Sequence, residues 1–358
     1  MTDGRTGALL LVLGAVGILG MSPPTAAAAP ERMGGSGDDE WRAVHLLRDS
    51  AQAMRSTSYS GTRMISAWGE QGSATLIVDI EHVAGDRTRL TVRGDGRMMA
   101  APGTNSGATE LFPAGTGGTA QSDGLSASSI ELLTESYAVT VAARDSVAGR
   151  PSTVVEISRG GVLAARLWVD DASGLLLRRE VFDAAGHLVR ASAFIDVEVD
   201  VSPLRARMAP PEPVTEGLGV RGQSLVEAAG WDCPMRPGAL RLVDIERLDD
   251  ADAMHMTYSD GLSRVSVFEQ RGSLDPRSVR GYQTTRVGTQ VVHVHEGMPT
   301  YAVWERDGIV FTAVTDGPMD SVAAVVLDGA RNPRPDLEFW DRVASGMTRL
   351  GAWSTPLL

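Results

Sequence analysis

The stretch Met256-Thr257-Tyr258-Ser259-Asp260-Gly261-Leu262-Ser263-Arg264-Val265-Ser266-Val267-Phe268-Glu269 is the most informative part of the chain. Its Asp-Gly pair lies between two short runs that are rich in β-branched and aromatic residues. Glycine at such a pair permits the positive φ that a tight connection between antiparallel strands requires. The stretch therefore predicts two neighbouring strands joined by a turn, and similar patterns recur along most of the chain.

Alternation of apolar and polar positions with a period of two dominates the first half of the sequence. Leu76, Val78 and Ile80 recur at every second position, and so do Leu90 and Val92. Such alternation is typical of antiparallel strands with one apolar and one solvated face. Glycine-containing turns at 171–174 and 183–186 favour hairpins. We therefore expect one large, strongly curved antiparallel sheet with a single apolar face.

Helical spacing is found at only a few places in the first half. A helix is expected where Trp41, Val44, Leu47, Ala51 and Met54 recur, with Asp38 or Asp39 as its N-cap. A short helix is expected near 126–135, after a Gly-rich loop over 101–124. A loop of that length is unusual in a compact domain and is either a functional flap or disordered.

The second half predicts a smaller domain of the same kind. Its expected strands are Ala253–Thr257, Arg264–Gln270, Gly281–Val287, Gln290–His295, Tyr301–Arg306 and Ile309–Thr315. A helix is expected over Met319–Asp328, with Gly329 as its cap, and an amphipathic helix over 336–350. The predicted fold class is mainly β (α+β): a large curved antiparallel sheet with covering helices, plus a smaller α+β C-terminal domain.

The N-terminus has the layout of a secretory signal peptide. Arg5 precedes an apolar run over 8–21, and a proline- and alanine-rich segment follows. The run is shorter than the ~20 residues that span a bilayer, so cleavage is favoured over a retained anchor. The expected organisation is a signal peptide over 1–29, a disordered mature N-terminus over 30–39, a first domain over 40–201, a proline-rich linker over 202–222, a second domain over 223–335, and a C-terminal helix and tail over 336–358.

Composition excludes several classes of function. The 358 residues carry a formal charge of −12, without a basic stripe, so binding to nucleic acid by general electrostatics is not expected. Cys233 is the only cysteine, and an internal disulfide is therefore excluded. We interpret Cys233 as a buried small residue in preference to a reactive thiol.

Motifs for catalysis, metal binding or cofactor binding are missing from the sequence. His293 and His295 are spaced to share one face of a strand, but a metal site needs further ligands, so surface histidines are the favoured interpretation. The pairs Asp170-Asp171 and Asp249-Asp250 fall at predicted turns, where solvated aspartates are more common than catalytic dyads. The sequence therefore predicts neither an enzyme nor a bound cofactor.

The apolar face of the first domain is the best candidate for a ligand site. If two helices leave part of it uncovered, an acyl chain or an apolar peptide could bind there. Periodicity alone favours the alternative, in which the same side chains form a filled core. The candidate groove comprises Leu76, Val78, Ile80, Leu90, Val92, Trp168, Leu175, Leu177, Phe182 and Phe194.

Several motifs, in order along the chain, resemble the MucB/RseB family. They are Tyr59-Ser60-Gly61-Thr62, Val147-Ala148-Gly149-Arg150-Pro151, Leu167-Trp168-Val169-Asp170 with Gly174-Leu175 and Leu177-Arg178, Asp183 with Gly186, Phe194, and the Ser259-Asp260-Gly261-Leu262 stretch. The chain differs from the family at Leu176, where proline is frequent. The 101–124 insertion and the segment around Cys233 have no counterpart in the family pattern.

The resemblance implies a regulatory binding protein. Members restrain an anti-sigma factor outside the cytoplasmic membrane and block its proteolysis until lipid or outer-membrane-derived signals release the block. Their first domain resembles the lipoprotein carrier LolA, and their second domain carries much of the contact with the anti-sigma factor. The candidate partner-binding motif is Asp260, Gly261, Leu262, Val265, Val267 and Phe268. A core position is favoured over a contact surface for its apolar members.

Two other functions compete with this one. A lipid or lipoprotein carrier would use the apolar face of the first domain. An exported hydrolase with a divergent site is supported by nothing in the sequence beyond the export signal. The expected partners are a membrane anti-sigma factor and a lipid or apolar peptide, and the expected location is the periplasm or the extracytoplasmic face of the membrane.

Overall fold

A computed structural model describes residues 37–70, 72–84, 87–93, 109–113, 125–199, 230–231, 234–248 and 253–331. Most of these residues belong to two antiparallel sheets, and the described part includes three helices. The mainly β (α+β) fold class is therefore confirmed. Within the described residues, no helix combines the length and apolarity needed to cross a bilayer.

The first sheet has nine strands in the order β4-β3-β2-β1-β9-β8-β7-β6-β5. Register shifts interrupt the ladders at several points, as between Thr62 and Arg63 where β1 meets β9. Such bulges bend the bulged strand and increase its local twist. The strands are β1 (Tyr59–Gly69), β2 (Gly72–Val83), β3 (Arg87–Arg93), β4 (Thr109–Pro113), β5 (Ala138–Val147), β6 (Arg150–Arg159), β7 (Val162–Asp170), β8 (Leu176–Phe182) and β9 (Leu188–Val199).

Two helices pack beside strands β5–β8. Helix α1 spans Gly37–Ser56 and buries Ala43, Leu47 and Ala51. Helix α2 spans Ala127–Ser136, and Ser126 caps it through a reciprocal pair of hydrogen bonds with Ser129. Both expected helices of the first domain are therefore present.

The N-terminal half of α1 differs from the sequence expectation. The helix begins at Gly37, so Asp38 and Asp39 lie in its first turn and neither is the N-cap. Trp41 is 64% exposed and its ring lies tilted against that of His45, while Ala43 faces the core. The error arose because the large apolar side chain of Trp41 was assigned to the buried face, whereas the small Ala43 occupies it. The prediction of disorder over 30–39 is wrong for residues 37–39.

At strands β6–β8, both faces of the first sheet are covered by buried side chains. The sequence predicts only one apolar face. Successive side chains of a strand point to opposite faces. Val155, Leu167 and Leu176 accordingly pack against α1 and α2, whereas their chain neighbours pack in a second cluster on the other face. The second cluster consists of Tyr59, Val78, Ile80, Val147, Val154, Trp168, Leu175, Leu177 and Phe194.

The second sheet has seven strands in the order β10-β11-β12-β16-β15-β14-β13. Asp307 and Gly308 both have positive φ, which is the geometry of a tight hairpin turn between its last two strands. The six expected strands are present, and a seventh, β10, precedes them. The strands are β10 (Arg241–Leu248), β11 (Ala253–Ser259), β12 (Arg264–Arg271), β13 (Gln283–Val287), β14 (Gln290–His295), β15 (Thr300–Arg306) and β16 (Ile309–Thr315).

Helix α3 spans Met319–Arg331 and covers one face of this second sheet. It continues past Gly329, so the prediction that this glycine ends the helix is wrong. Val322, Val325 and Val326 contact a core that includes Tyr258 and Trp304. The signal peptide, the proline-rich linker, Cys233, Asp249-Asp250 and the expected last helix lie outside the described residues.

A buried ion pair organises the hairpin between β7 and β8. The carboxylate of Asp170 accepts hydrogen bonds from Arg150 Nε at 3.0 Å and Nη2 at 2.7 Å, and from the backbone N–H and hydroxyl of Ser173. Burial by itself would raise the pKa of Asp170, but these hydrogen bonds outweigh it and hold the pKa below its ordinary value. Asp170 is thus a structural residue of the hairpin.

We predict that Asp170→Asn lowers the free energy of unfolding by about 2–4 kcal/mol at neutral pH, because it breaks a largely buried pair. Stability from the ionised carboxylate is present above the unfolded pKa of ~3.9 and is lost as pH falls through the lower folded pKa. The variant should therefore also lose less stability on acidification. Denaturant unfolding at several pH values measures both effects.

Asp171→Asn is the matched control. Its partner Arg144 is largely exposed, so this pair should contribute less than about 1 kcal/mol. Equal losses of unfolding free energy in the two variants would contradict the assignment of Asp170 as a structural residue of the hairpin.

Candidate functional site

The connection between β11 and β12, residues 259–263, forms a rigid loop that we call the Asp260 loop. Asp260 Oδ1 accepts hydrogen bonds from the N–H of Leu262 at 3.0 Å and of Ser263 at 2.7 Å. Ser259 Oγ accepts from the N–H of Gly261 and donates to the carbonyl of Ser263. These bonds fix the shape of the loop and direct Leu262 outward from the second domain.

The Asp260 loop inserts into the first domain. Leu262 is only 5% exposed and packs in the cluster formed by α1, α2 and strands β5–β8. Its carbonyl accepts a hydrogen bond from the guanidinium of Arg179 in β8. A residue of the second domain thus completes the core of the first.

A buried polar group accompanies this insertion. Tyr137 Oη donates a hydrogen bond to Asp260 Oδ2 at 2.5 Å. The guanidinium of Arg159 lies 3.5 Å from the same carboxylate and 4.0 Å above the ring of Tyr137. Burial, and next the negative charge of Asp260, raise the pKa of Tyr137, so its hydroxyl stays protonated and remains a donor.

Gly261 lies in contact with the backbone of α2. A Cβ atom at this position would lie 2.1 Å from the carbonyl oxygen of Ser129 and 2.4 Å from the nitrogen of Leu133. Its φ of +85° also disfavours any other residue. Both facts require glycine here, so the Asp-Gly pair serves the contact between the domains as well as the turn.

A cleft of about 230 Å³ lies beside the inserted loop. Its walls come from both domains, including Arg159 and Phe182 of the first and Leu240 and Pro318 of the second. At its edge, Asp320 Oδ2 accepts a hydrogen bond from the N–H of Ala184 at 3.1 Å. Domain interfaces are frequent locations of ligand pockets, which makes this cleft a candidate binding site.

The candidate groove of the first domain is mostly one packed cluster. Phe182 instead lines the cleft between the domains, and Val92 is half-buried on β3 outside the cluster. The eight members in or against the cluster are Leu76, Val78, Ile80, Leu90, Trp168, Leu175, Leu177 and Phe194.

The candidate partner motif is divided among three environments. Asp260, Gly261 and Leu262 contact the first domain, as described. Val265 and Val267 lie in the core of the second domain. Phe268 lies on the opposite face of the sheet, where its ring stacks on His255 at 4.4 Å.

Sequence reasoning missed the partners of the Asp260 loop, which are Tyr137, Arg159 and Arg179. A leucine at the tip of a turn was the available signal, since turn tips are normally polar. The histidines show no metal-site geometry: His293 contacts Thr284, and His295 stacks on Tyr282. Within the described ranges, no three His, Cys, Asp or Glu side chains are grouped to hold a metal.

Together these features define a two-domain, mainly β protein whose smaller domain completes the core of the larger. The model of the MucB/RseB N-terminal domain matches residues 42–213. The first domain of this chain therefore belongs to the MucB/RseB family. A comparison with curated protein sequences gives no match.

Three solved structures show the range of similarity. MucB in complex with MucA(peri) is 20% identical with a TM-score of 0.49, over 80% of this chain and 97% of that chain. The MucA/MucB complex of Pseudomonas aeruginosa is 18% identical with a TM-score of 0.48, over 79% and 97%. A LolA superfamily protein from Nitrosomonas europaea is 9% identical with a TM-score of 0.20, over 76% and 91%.

We predict that Gly261→Ala separates the two domains, because the new methyl group overlaps backbone atoms of α2 that cannot move independently. Small-angle scattering should show an increased radius of gyration, and proteolysis between the domains should accelerate. Gly281→Ala is the matched control, since Gly281 has a φ of +89° but its new methyl group would meet no atom within 4 Å. An identical response of the two variants would show that backbone strain, and not the contact with α2, is responsible.

Proposed function

We propose that this protein is a non-catalytic extracytoplasmic regulator that binds a membrane anti-sigma factor and modulates its proteolysis. The observation that carries the proposal is the MucB/RseB N-terminal domain over residues 42–213. The signal-peptide pattern of residues 1–29 supports a location in the periplasm or at the extracytoplasmic face of the membrane.

The second domain offers one sheet face for the anti-sigma factor. Its other face is covered by α3 and buried in the core. Strand registers align a row of side chains across the open face, which contains Glu246, His255, Phe268, Thr312, Val303 and His293. All of them except the buried Val303 are partly exposed. Aromatic and apolar side chains ringed by polar ones are the composition of protein interfaces.

Phe268 is the residue of the sequence motif that we assign to this contact. Its ring lies on the open face and is partly exposed, unlike the buried Val265 and Val267. Aromatic side chains near the centre of an interface often contribute most of the binding free energy. The other members of the motif then hold the fold and the domain arrangement.

Sensing of a lipid or apolar peptide by the first domain is a further part of the proposal. A ligand at the predicted groove would have to displace side chains from a packed cluster, because Leu175 and Leu177 have no exposed surface. The same burial makes a lipid or lipoprotein carrier the less favoured function. Binding by displacement suits a sensor, since it links occupancy to a change of conformation.

We predict that affinity purification from cross-linked native membranes recovers a membrane anti-sigma factor with the wild-type protein. Phe268→Ser should weaken that binding at least about 30-fold, the effect of losing a central aromatic contact. Ile195→Ser is the control, because Ile195 is an exposed apolar residue on the first sheet. Melting curves establish that both variants are folded.

Failure to recover any anti-sigma factor, from both stressed and unstressed cells, would contradict the proposed function. Equal binding by the Phe268 variant and the wild-type protein would contradict only the assignment of the open sheet face.

A further inference from the structure

The cleft between the domains combines apolar walls with carboxylates, and binding of an anti-sigma factor at the open sheet face does not explain this combination. Its walls are mainly apolar, and Val162 at its margin is 45% exposed although it is a large aliphatic residue. Leu163 and Phe182 form the wall of the first domain, and Leu240 and Leu262 belong to the wall of the second. A volume of about 230 Å³ is smaller than drug-sized pockets, so it suits one side chain or a short alkyl chain.

The charge of the cleft is negative. Among its described lining residues, three carboxylates accompany one guanidinium, that of Arg159. Asp260 faces Arg159 at 3.5 Å, so these two groups largely compensate each other. Asp183 and Asp320 remain as the source of negative charge.

Both remaining carboxylates retain capacity to accept hydrogen bonds. Asp320 uses Oδ2 for the N–H of Ala184. Asp183 accepts from the N–H groups of Ala185 and His187 and from the ring of His187. A carboxylate has about four acceptor positions, so a cation beside Asp320 would find an acceptor without breaking the existing bond.

We infer that the cleft binds an apolar group that ends in an amine, either a free alkylamine or the lysine of an apolar peptide segment. The alkyl part lies against the leucine and phenylalanine walls, and the ammonium group lies beside Asp320. Since both domains supply the walls, an occupied cleft changes how strongly the Asp260 loop is held in the first domain. This site does not depend on binding of an anti-sigma factor.

The test is titration calorimetry of the purified protein with octylamine, octanol and octanoate, which share one tail and differ in charge. Octylamine should bind at least about tenfold more tightly than octanoate. From butylamine to octylamine, affinity should rise roughly fourfold per methylene until the cleft is filled. A capped Leu-Lys-Leu peptide distinguishes the two sources of amine, and binding of either ligand supports the inference.

Two variants locate the site. Asp320→Asn keeps an acceptor for Ala184 but removes the charge, so octylamine should bind at least about fivefold more weakly while octanol is unaffected. Val162→Trp should block all the ligands by filling the cleft. Val243→Trp is the control, because Val243 is an exposed apolar residue that does not line the cleft.

Three results would overturn the inference: no binding of either amine, binding of octanoate as tight as octylamine, or amine binding that survives Val162→Trp but is lost in Leu90→Trp, where Leu90 packs against the first-domain cluster. The last result would place the ligand in the first-domain groove. None of them bears on recovery of the anti-sigma factor, so failure here is distinguishable from failure of the proposed function.

Discussion

The hydroxyl of Tyr137 donates a hydrogen bond to the carboxylate of Asp260 across the boundary between the two domains, at 2.5 Å. Both groups are buried. Separation of the domains breaks this hydrogen bond and leaves the carboxylate and the hydroxyl without each other as partners. Beside them, Leu262 fills a position in the core of the first domain. The position of the second domain, and with it the cleft and the open sheet face, depends on this contact.

Because Leu262 of the second domain is part of the core of the first, docking of the domains contributes to the stability of the first domain. The apolar contact of Leu262 favours docking without directional preference, while the hydrogen bonds of Asp260 and Arg179 select one orientation. Close approach of Gly261 to the backbone of α2 removes the remaining freedom. The proposed regulation would act through this docking equilibrium, since a ligand or partner has only to favour one arrangement of the domains.

Local patterns in the sequence predicted most of the strands because strand pairing here is largely between neighbours in the chain. Period-two alternation and Asp-Gly turns identified β14 and β16 with their observed bounds. The same reasoning misjudged Trp41, since a small residue such as Ala43 can occupy the buried face while a large apolar side chain stays in solvent. The same reasoning also predicted a single apolar face, although strands β6–β8 are apolar at consecutive positions, as at Val154 and Val155 of β6.

The candidate site was less predictable because it depends on contacts between distant parts of the chain. The motif around Asp260 was recognised, but its contacts with Tyr137 and Arg159 are separated from it by more than a hundred residues. No pattern within a short window encodes such a pairing. The cleft likewise arises only when the hairpin turns of the first domain meet α3 of the second.

A double-mutant cycle on Tyr137→Phe and Asp260→Asn tests the central claim most directly. Asn retains the oxygen that accepts from Leu262 and Ser263, and Phe retains the ring below Arg159, so the other contacts of the two residues cancel in the cycle. The cycle then measures the coupling of the charged carboxylate with the hydroxyl beyond that of a neutral amide. Denaturant unfolding of the full chain should give a coupling free energy of about 1–3 kcal/mol. A coupling indistinguishable from zero would contradict the claim that this contact holds the two domains together.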